Sequence, residues 1–145
     1  MNEPLIIPTT LDALPSVFAW AEDAGNAAAL PDWTRYALLL CVEEAVSNVI
    51  RHGYPEEETP PEGTTIRLTL SWDDAAATVT IEDQGIAFDP NTLAAPTLPA
   101  SVEDARIGGL GIHLMRRYAQ TMDYQRRGDT NRLTLRIKRT SVGER

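Results

Sequence analysis

Two neighbouring stretches, WTRYALLLCVEEAVSNVIRHG (residues 33–53) and IRLTLSW (residues 66–72), decide the fold, because the hydrophobic period changes between them. In the first, Leu38, Val42, Ala45, Val46 and Val49 recur at helical spacing, and Gly53 offers a stop. In the second, Ile66, Leu68, Leu70 and Trp72 alternate with Arg67, Thr69 and Ser71. That is the signature of a strand with one buried and one wet face. Asp73 and Asp74 turn the chain, and Val79 and Ile81 resume the alternation up to Asp83, which predicts a hairpin. The acidic, proline-rich PEEETPPEG between helix and hairpin (residues 55–63) has no core residues to offer.

Upstream, Leu5, Ile6 and Ile7 read as a short strand ended by Pro8. Thr10 or Asp12 is expected to cap a helix running to about Asn26, with Pro15 in its first turn and Leu14, Val17, Phe18 and Ala21 on its buried face. Downstream, residues 84–107 hold four prolines or glycines and little periodicity, the mark of a functional or mobile loop. A third helix is expected after Gly111, through Ile112, Leu114, Met115 and Tyr118 to about Gln120. A last hairpin covers about 121–126 and 132–138, with Leu133, Leu135 and Ile137 on one face. The sum is an α+β two-layer sandwich, three helices on one face of a mixed, mostly antiparallel sheet, in a single domain over residues 1–145.

Composition narrows the function. The 145 residues are 43% hydrophobic and 23% charged, an ordinary globular balance. With 13 Lys and Arg against 21 Asp and Glu, the net charge of −8 argues against direct binding of nucleic acid or an anionic membrane. A single cysteine, Cys41, excludes an intramolecular disulfide and a cysteine-based zinc cluster, and reads as a small apolar filler. The N-terminal residues have no signal-peptide pattern and no stretch is long and apolar enough to span a membrane, so a cytoplasmic location is expected.

Three places carry chemistry. Glu44, Asn48 and His52 are spaced four apart on the long helix. At ~100° per residue they lie about 160°, 120° and 80° from Val42, so the row climbs from water to the margin of the core. An asparagine there is unfavourable unless something coordinates it. A carboxylate and an amide oxygen one turn apart suit a hard cation such as Mg²⁺, and such a carboxylate can deprotonate a hydroxyl. A solvated helix face is the plainer alternative, and Glu43, Ser47 and Arg51 beside it read as ordinary surface. Asp83 shares parity with Val79 and Ile81 and so points into the core face, where it needs hydrogen-bond donors. It could accept from the amine of a planar ring such as adenine, with Gly85 permitting a close approach, or bond its own backbone in an Asx-type turn. Gly108-Gly109-Leu110-Gly111 opens the third helix and could present NH groups to phosphates, or be a flexible linker.

The order of these signals is more specific than any one of them. Glu44-Ala-Val-Ser-Asn48-Val-Ile-Arg-His52-Gly-Tyr54, Asp83-Gln-Gly85-Ile-Ala-Phe88-Asp89-Pro90 and Gly108-Gly-Leu-Gly111 resemble, in sequence order, the N-box, G1 box and G2 box of the GHKL, or Bergerat-fold, ATP-binding family. The His-Gly-Tyr and Phe-Asp-Pro endings and the closing Gly128-Asp-Thr-Asn131-Arg-Leu-Thr-Leu are similar to the branch of anti-sigma factor serine-protein kinases. The resemblance implies an ATP- and Mg²⁺-dependent serine/threonine-protein kinase that regulates transcription. Its expected partners are a STAS-domain anti-sigma antagonist as substrate and a sigma factor or other effector, with a homodimer as a further implication.

Residue by residue, the same resemblance makes Glu44 the base, Asn48 the Mg²⁺ ligand and Asp83 the acceptor from adenine, with Gly85 giving the ring room. His52 and Phe88 belong to the nucleotide pocket, residues 86–107 to a lid, and Arg106, Gly108, Gly109, Leu110 and Gly111 to the phosphate site. Tyr54 has no assigned duty. The chain length leaves no room for the helical domain of a histidine kinase, so the phosphate acceptor is expected on another protein. A non-catalytic ATP-binding regulatory module and an acidic interaction domain without nucleotide are the alternative readings.

Overall fold

In the computed structural model, which describes residues 3–92 and 115–139, the chain begins with strand β1 (Leu5–Pro8) and a single 3₁₀ turn (Leu11–Ala13). Helices α1 (Leu14–Ala27) and α2 (Asp32–His52) follow, then strands β2 (Thr65–Trp72) and β3 (Ala76–Asp83). After a short 3₁₀ turn at Pro90–Thr92, residues 115–118 are helical, and β4 (Thr121–Arg127) and β5 (Thr130–Lys138) close the fold.

The five strands form one sheet in the order β1-β2-β3-β5-β4. All four pairings are antiparallel, so the expected sheet holds with no parallel pair among the described strands. One face of it is apolar. Ile66, Leu68 and Leu70 of β2, Val79 and Ile81 of β3, and Leu135 and Ile137 of β5 join Val17 and Ala21 of α1, Leu38, Val42 and Val46 of α2, and Met115 in one buried cluster. Helices thus cover one side of the sheet, and the alternation of period two accounts for which strand residues they cover. Thr34, fully buried at the start of α2, donates through Oγ1 to the Lys138 carbonyl at 2.8 Å and ties that helix to the end of β5. Cys41 sits on the buried side of α2, where desolvation first, and the charge of Glu44 second, push its thiol pKa up to about 12. It is the inert filler expected.

Several local expectations change. Neither Thr10 nor Asp12 caps α1; the 3₁₀ turn intervenes, Thr10 stands before it with its hydroxyl bonded to Asp12 Oδ1, and Ala13 occupies the cap of α1. Strand β3 begins at Ala76, three residues before Val79, because Asp73 Oδ1 accepts from both the Ala75 and Ala76 amides at 2.8 Å and closes the turn that early. Ser47 is not ordinary surface but 5% exposed. The sheet and α1 together cover a wider arc of α2 than its apolar stripe indicates, and a small hydroxyl is accommodated within it. Gly53 caps α2 with ordinary right-handed angles (φ −70°, ψ −22°), so it does not end the helix by turning left-handed.

The left-handed stop is instead on α1. Ala29 has φ +52°, and around it the Leu30 amide bonds the Gly25 carbonyl at 3.0 Å and the Ala29 amide the Asn26 carbonyl at 3.1 Å. These are the paired bonds of a Schellman motif, with buried Leu30 as its apolar contact. Alanine bears a steric penalty there that glycine lacks. Ala29→Gly is therefore expected to raise stability by about 0.5–1 kcal/mol, read as a higher urea midpoint at unchanged m-value.

Candidate functional site

The C-terminal half of α2 lies over the ends of β3 and β5, and between them is a cleft with about 500 Å³ of empty space, part of it open to solvent. Ala45, Asn48, Val49 and Gly53 line it from the helix, Ile81 and Asp83 from β3, and Tyr124, Asn131 and Leu133 from the last hairpin. Ile86, Phe88, Pro90 and Met115 complete the lining among the described residues. The walls are mostly apolar, with a few polar groups converging, as a small-molecule site requires. Asn48 and Asp83, far apart along the chain, thus share one cavity.

Asn48 is 7% exposed, and its side chain makes no hydrogen bond among the described residues. Its position on the cleft wall leaves the amide available to a ligand. Glu44, one turn earlier, is half-buried and outside the lining. Burial, and then the neighbouring Glu43, raise its pKa above the ordinary glutamate value, while Arg51 works against the shift. His52, one turn later, is also outside the lining, and its Nε2 is buried without a hydrogen-bond partner among the described residues.

At the strand end the Asx-type reading of Asp83 applies to one of its oxygens. Its Oδ1 accepts from the Gly85 amide at 2.8 Å, the Asx-type bend, and from Asn131 Nδ2 at 3.0 Å. No hydrogen bond reaches Oδ2 among the described residues, and the carboxyl group is on the cleft wall, 6% exposed. Burial raises its pKa, while the bonds from Asn131 and Gly85 and the charge of Arg126 oppose that. Gly85 does permit a close approach, and the group that approaches is the backbone of α2's cap. A β-carbon at 85 would stand 2.7 Å from the Gly53 carbonyl oxygen and 2.9 Å from Gly53 Cα. The Ile86 amide bonds that same carbonyl at 2.8 Å, which stitches the segment after β3 to the end of the helix. Phe88 is half-buried on the cleft wall, its amide donating to the Tyr124 hydroxyl at 3.2 Å. Arg106, Gly108, Gly109, Leu110 and Gly111, with most of the 86–107 segment, lie outside the described residues.

Asn131 is the functional-looking residue whose role the sequence reading left unassigned. The register pairs it with Asp83 directly across β3 and β5, and its Nδ2 also donates to the carbonyls of Gly85 and Ile86 at 3.3 and 2.8 Å. The signal was present in the alternation of Asn131 with Leu133, Leu135 and Ile137, which places it on the buried face just as parity places Asp83.

Residues 7–137 match the histidine kinase-like ATPase domain. The chain belongs to that family. A histidine kinase-like ATPase domain binds ATP, and the fold is the expected GHKL type. The chain is 39% identical over 101 residues to the serine/threonine-protein kinase BtrW of Bordetella bronchiseptica, a match that covers 70% of this chain and 68% of BtrW. Among solved structures, that of the RsbU and RsbW domains of Rv1364c from Mycobacterium tuberculosis superposes on 97% of the chain with a TM-score of 0.57. At 15% identity this likeness is one of fold, and the chain spans about a third (34%) of that protein's chain.

Two substitutions separate the parts of this ATPase-domain cleft. Gly85→Ala forces a methyl group against backbone and is expected to destabilise the fold by about 1–3 kcal/mol, seen in the urea midpoint. Asp83→Asn should do the opposite of a structural lesion. Because the folded-state pKa is raised, the stability linked to this group is full below the unfolded-state pKa and is lost as pH rises through the folded one. At pH 7 the buried charge is a burden that the amide substitution removes, so melting should stay level or rise while ATP affinity, measured by calorimetric titration, falls at least about tenfold.

Proposed function

We propose that the chain is an ATP-dependent serine/threonine-protein kinase of the anti-sigma regulator kind, phosphorylating a STAS-domain antagonist and binding a sigma factor or similar effector in alternation with it. One observation carries the reading: the Asn48 amide and the Asp83 carboxylate, whose Oδ2 has no hydrogen bond among the described residues, line the same cleft. The likeness to BtrW, a serine/threonine-protein kinase, supports the reaction type.

In this reading Asp83 Oδ2 accepts from the adenine amine, and the apolar wall of Ile81, Ile86, Phe88, Met115 and Leu133 takes the faces of the ring. The triphosphate runs along α2 toward Asn48. The donor chemistry fits Mg²⁺, which Asn48 Oδ1 would hold; among the described residues no cluster of three or more acidic, His or Cys side chains exists. Bound there, the ion supplies charge neutralisation for the transferring phosphoryl group. Glu44, one turn from Asn48 and half-buried, takes the proton from the acceptor serine or threonine hydroxyl. The oxygen then bonds the γ-phosphorus as the bond to the β-phosphate oxygen breaks, releasing ADP. Residues 86–107 serve as the lid, and Arg106 with Gly108, Gly109, Leu110 and Gly111 as the phosphate cradle. The described residues contain no helix long and apolar enough to cross a membrane.

Incubation with a STAS partner, ATP and Mg²⁺ should add one phosphate to that partner by intact mass. Glu44→Gln should lower the rate about 10²- to 10⁴-fold while leaving ATP affinity nearly unchanged. The base works only when deprotonated, so the rate should be lost as pH falls through a pKa above the ordinary glutamate value. A stable complex whose partner stays unmodified would refute the kinase reading.

A further inference from the structure

The edge strand β4 contributes two side chains that have no place in the mechanism above. Arg126 stands directly across from Asn131 in the β4–β5 register, and Tyr124, two residues away, shares its face of the sheet. Both aim donors at one atom. The Tyr124 hydroxyl donates to Asn131 Oδ1, and Arg126 Nη1 donates to the same oxygen at 3.1 Å. Neither residue has another way to read that atom, since a guanidinium only donates and the Tyr124 oxygen already accepts from the Phe88 amide.

The sense of an asparagine amide matters here. With Oδ1 held by two donors, the NH₂ end is forced toward three acceptors, Asp83 Oδ1 and the carbonyls of Gly85 and Ile86. Flipped, the amide would set an oxygen against a buried carboxylate and leave Arg126 and Tyr124 facing an NH₂ group. The contacts of the amide with Arg126, Asp83 and the two carbonyls would turn repulsive or be lost. Arg126 Nη1 also donates to the Gly85 carbonyl at 2.6 Å, so the two β4 residues hold the segment 85–88 as well as the amide.

We propose that Tyr124 and Arg126 are positioning residues for the nucleotide, a latch on the edge strand that fixes the Asn131 amide in the sense that occupies Asp83 Oδ1 and leaves Oδ2 for the base. The proposal rests on the reading of Asp83 as the adenine acceptor. It makes adenine affinity depend on what the Tyr124 hydroxyl and Arg126 do to Asn131, apart from the contact of the Tyr124 ring with the cleft. The favourable charge of Arg126 also keeps the buried carboxylate easier to ionise than burial alone allows.

The test is a double-mutant cycle on the whole chain, read by calorimetric titration with the non-hydrolysable analogue AMP-PNP and Mg²⁺. Tyr124→Phe keeps the ring and removes one hydroxyl; Arg126→Gln is the second probe. Each should weaken binding about 3- to 10-fold in the parent chain, the worth of one hydrogen bond. In an Asn131→Ala background each loss should shrink, because the route through the amide is gone and only the holds on the Gly85 carbonyl and the Phe88 amide remain. Hydrogen exchange at the Phe88 amide should quicken in Tyr124→Phe. Equal losses in both backgrounds, or no loss in the parent, overturn the latch while the nucleotide reading stands. A parent chain that does not bind AMP-PNP overturns the nucleotide reading and the latch with it.

Discussion

A carboxylate at the inner end of β3 has to be satisfied without being used up. Asp83 lies where alternation would place another valine or isoleucine, and the sheet answers with donors on one side only: the Gly85 amide from the bend and the Asn131 amide from across the ladder. The rest of the site follows from this division. Oδ1 anchors the chain reversal after β3, the reversal brings Ile86 onto the Gly53 carbonyl, and that bond fixes the end of α2 relative to the sheet. The cleft exists because helix and strand are pinned at this corner while their apolar walls diverge from it.

A buried acid raised in pKa is a liability for folding, and the ATPase-domain cleft concentrates such liabilities. Among the described residues the Asn48 side chain in mid-helix has no hydrogen-bond partner, and His52 buries a ring nitrogen that has none. Stability is supplied elsewhere, by the continuous apolar cluster of Leu38, Val42, Ile66, Leu68, Leu70, Leu135 and Ile137. The two regions are joined along α2, whose N-terminal half is core and whose C-terminal half is site.

Much of this was legible in the sequence because period reports burial. The switch from helical spacing to alternation located α2 and the β2–β3 hairpin, and parity put Asp83 on the inner face. What period does not report is pairing across strands. Asn131 appeared only as part of a motif, and Tyr124 and Arg126 not at all, because their meaning depends on the register of β4 on β5 and of β5 on β3. Local stops mislead for a similar reason. Gly53 looks like a left-handed cap, yet its angles are right-handed and a β-carbon there would stand 2.6 Å from the Val49 carbonyl oxygen, while the left-handed position falls on Ala29, which sequence alone does not flag. Ser47 likewise reads as surface in the sequence and is buried in the fold.

The burial of Cys41 gives the molecule an internal clock. The one thiol of the chain is shielded by the full thickness of α2 and held protonated far above neutral pH, so alkylating reagents should reach it only when the sandwich opens. Its rate of modification then counts global opening events directly, without a label, and whatever nucleotide or partner slows that count is binding the closed form.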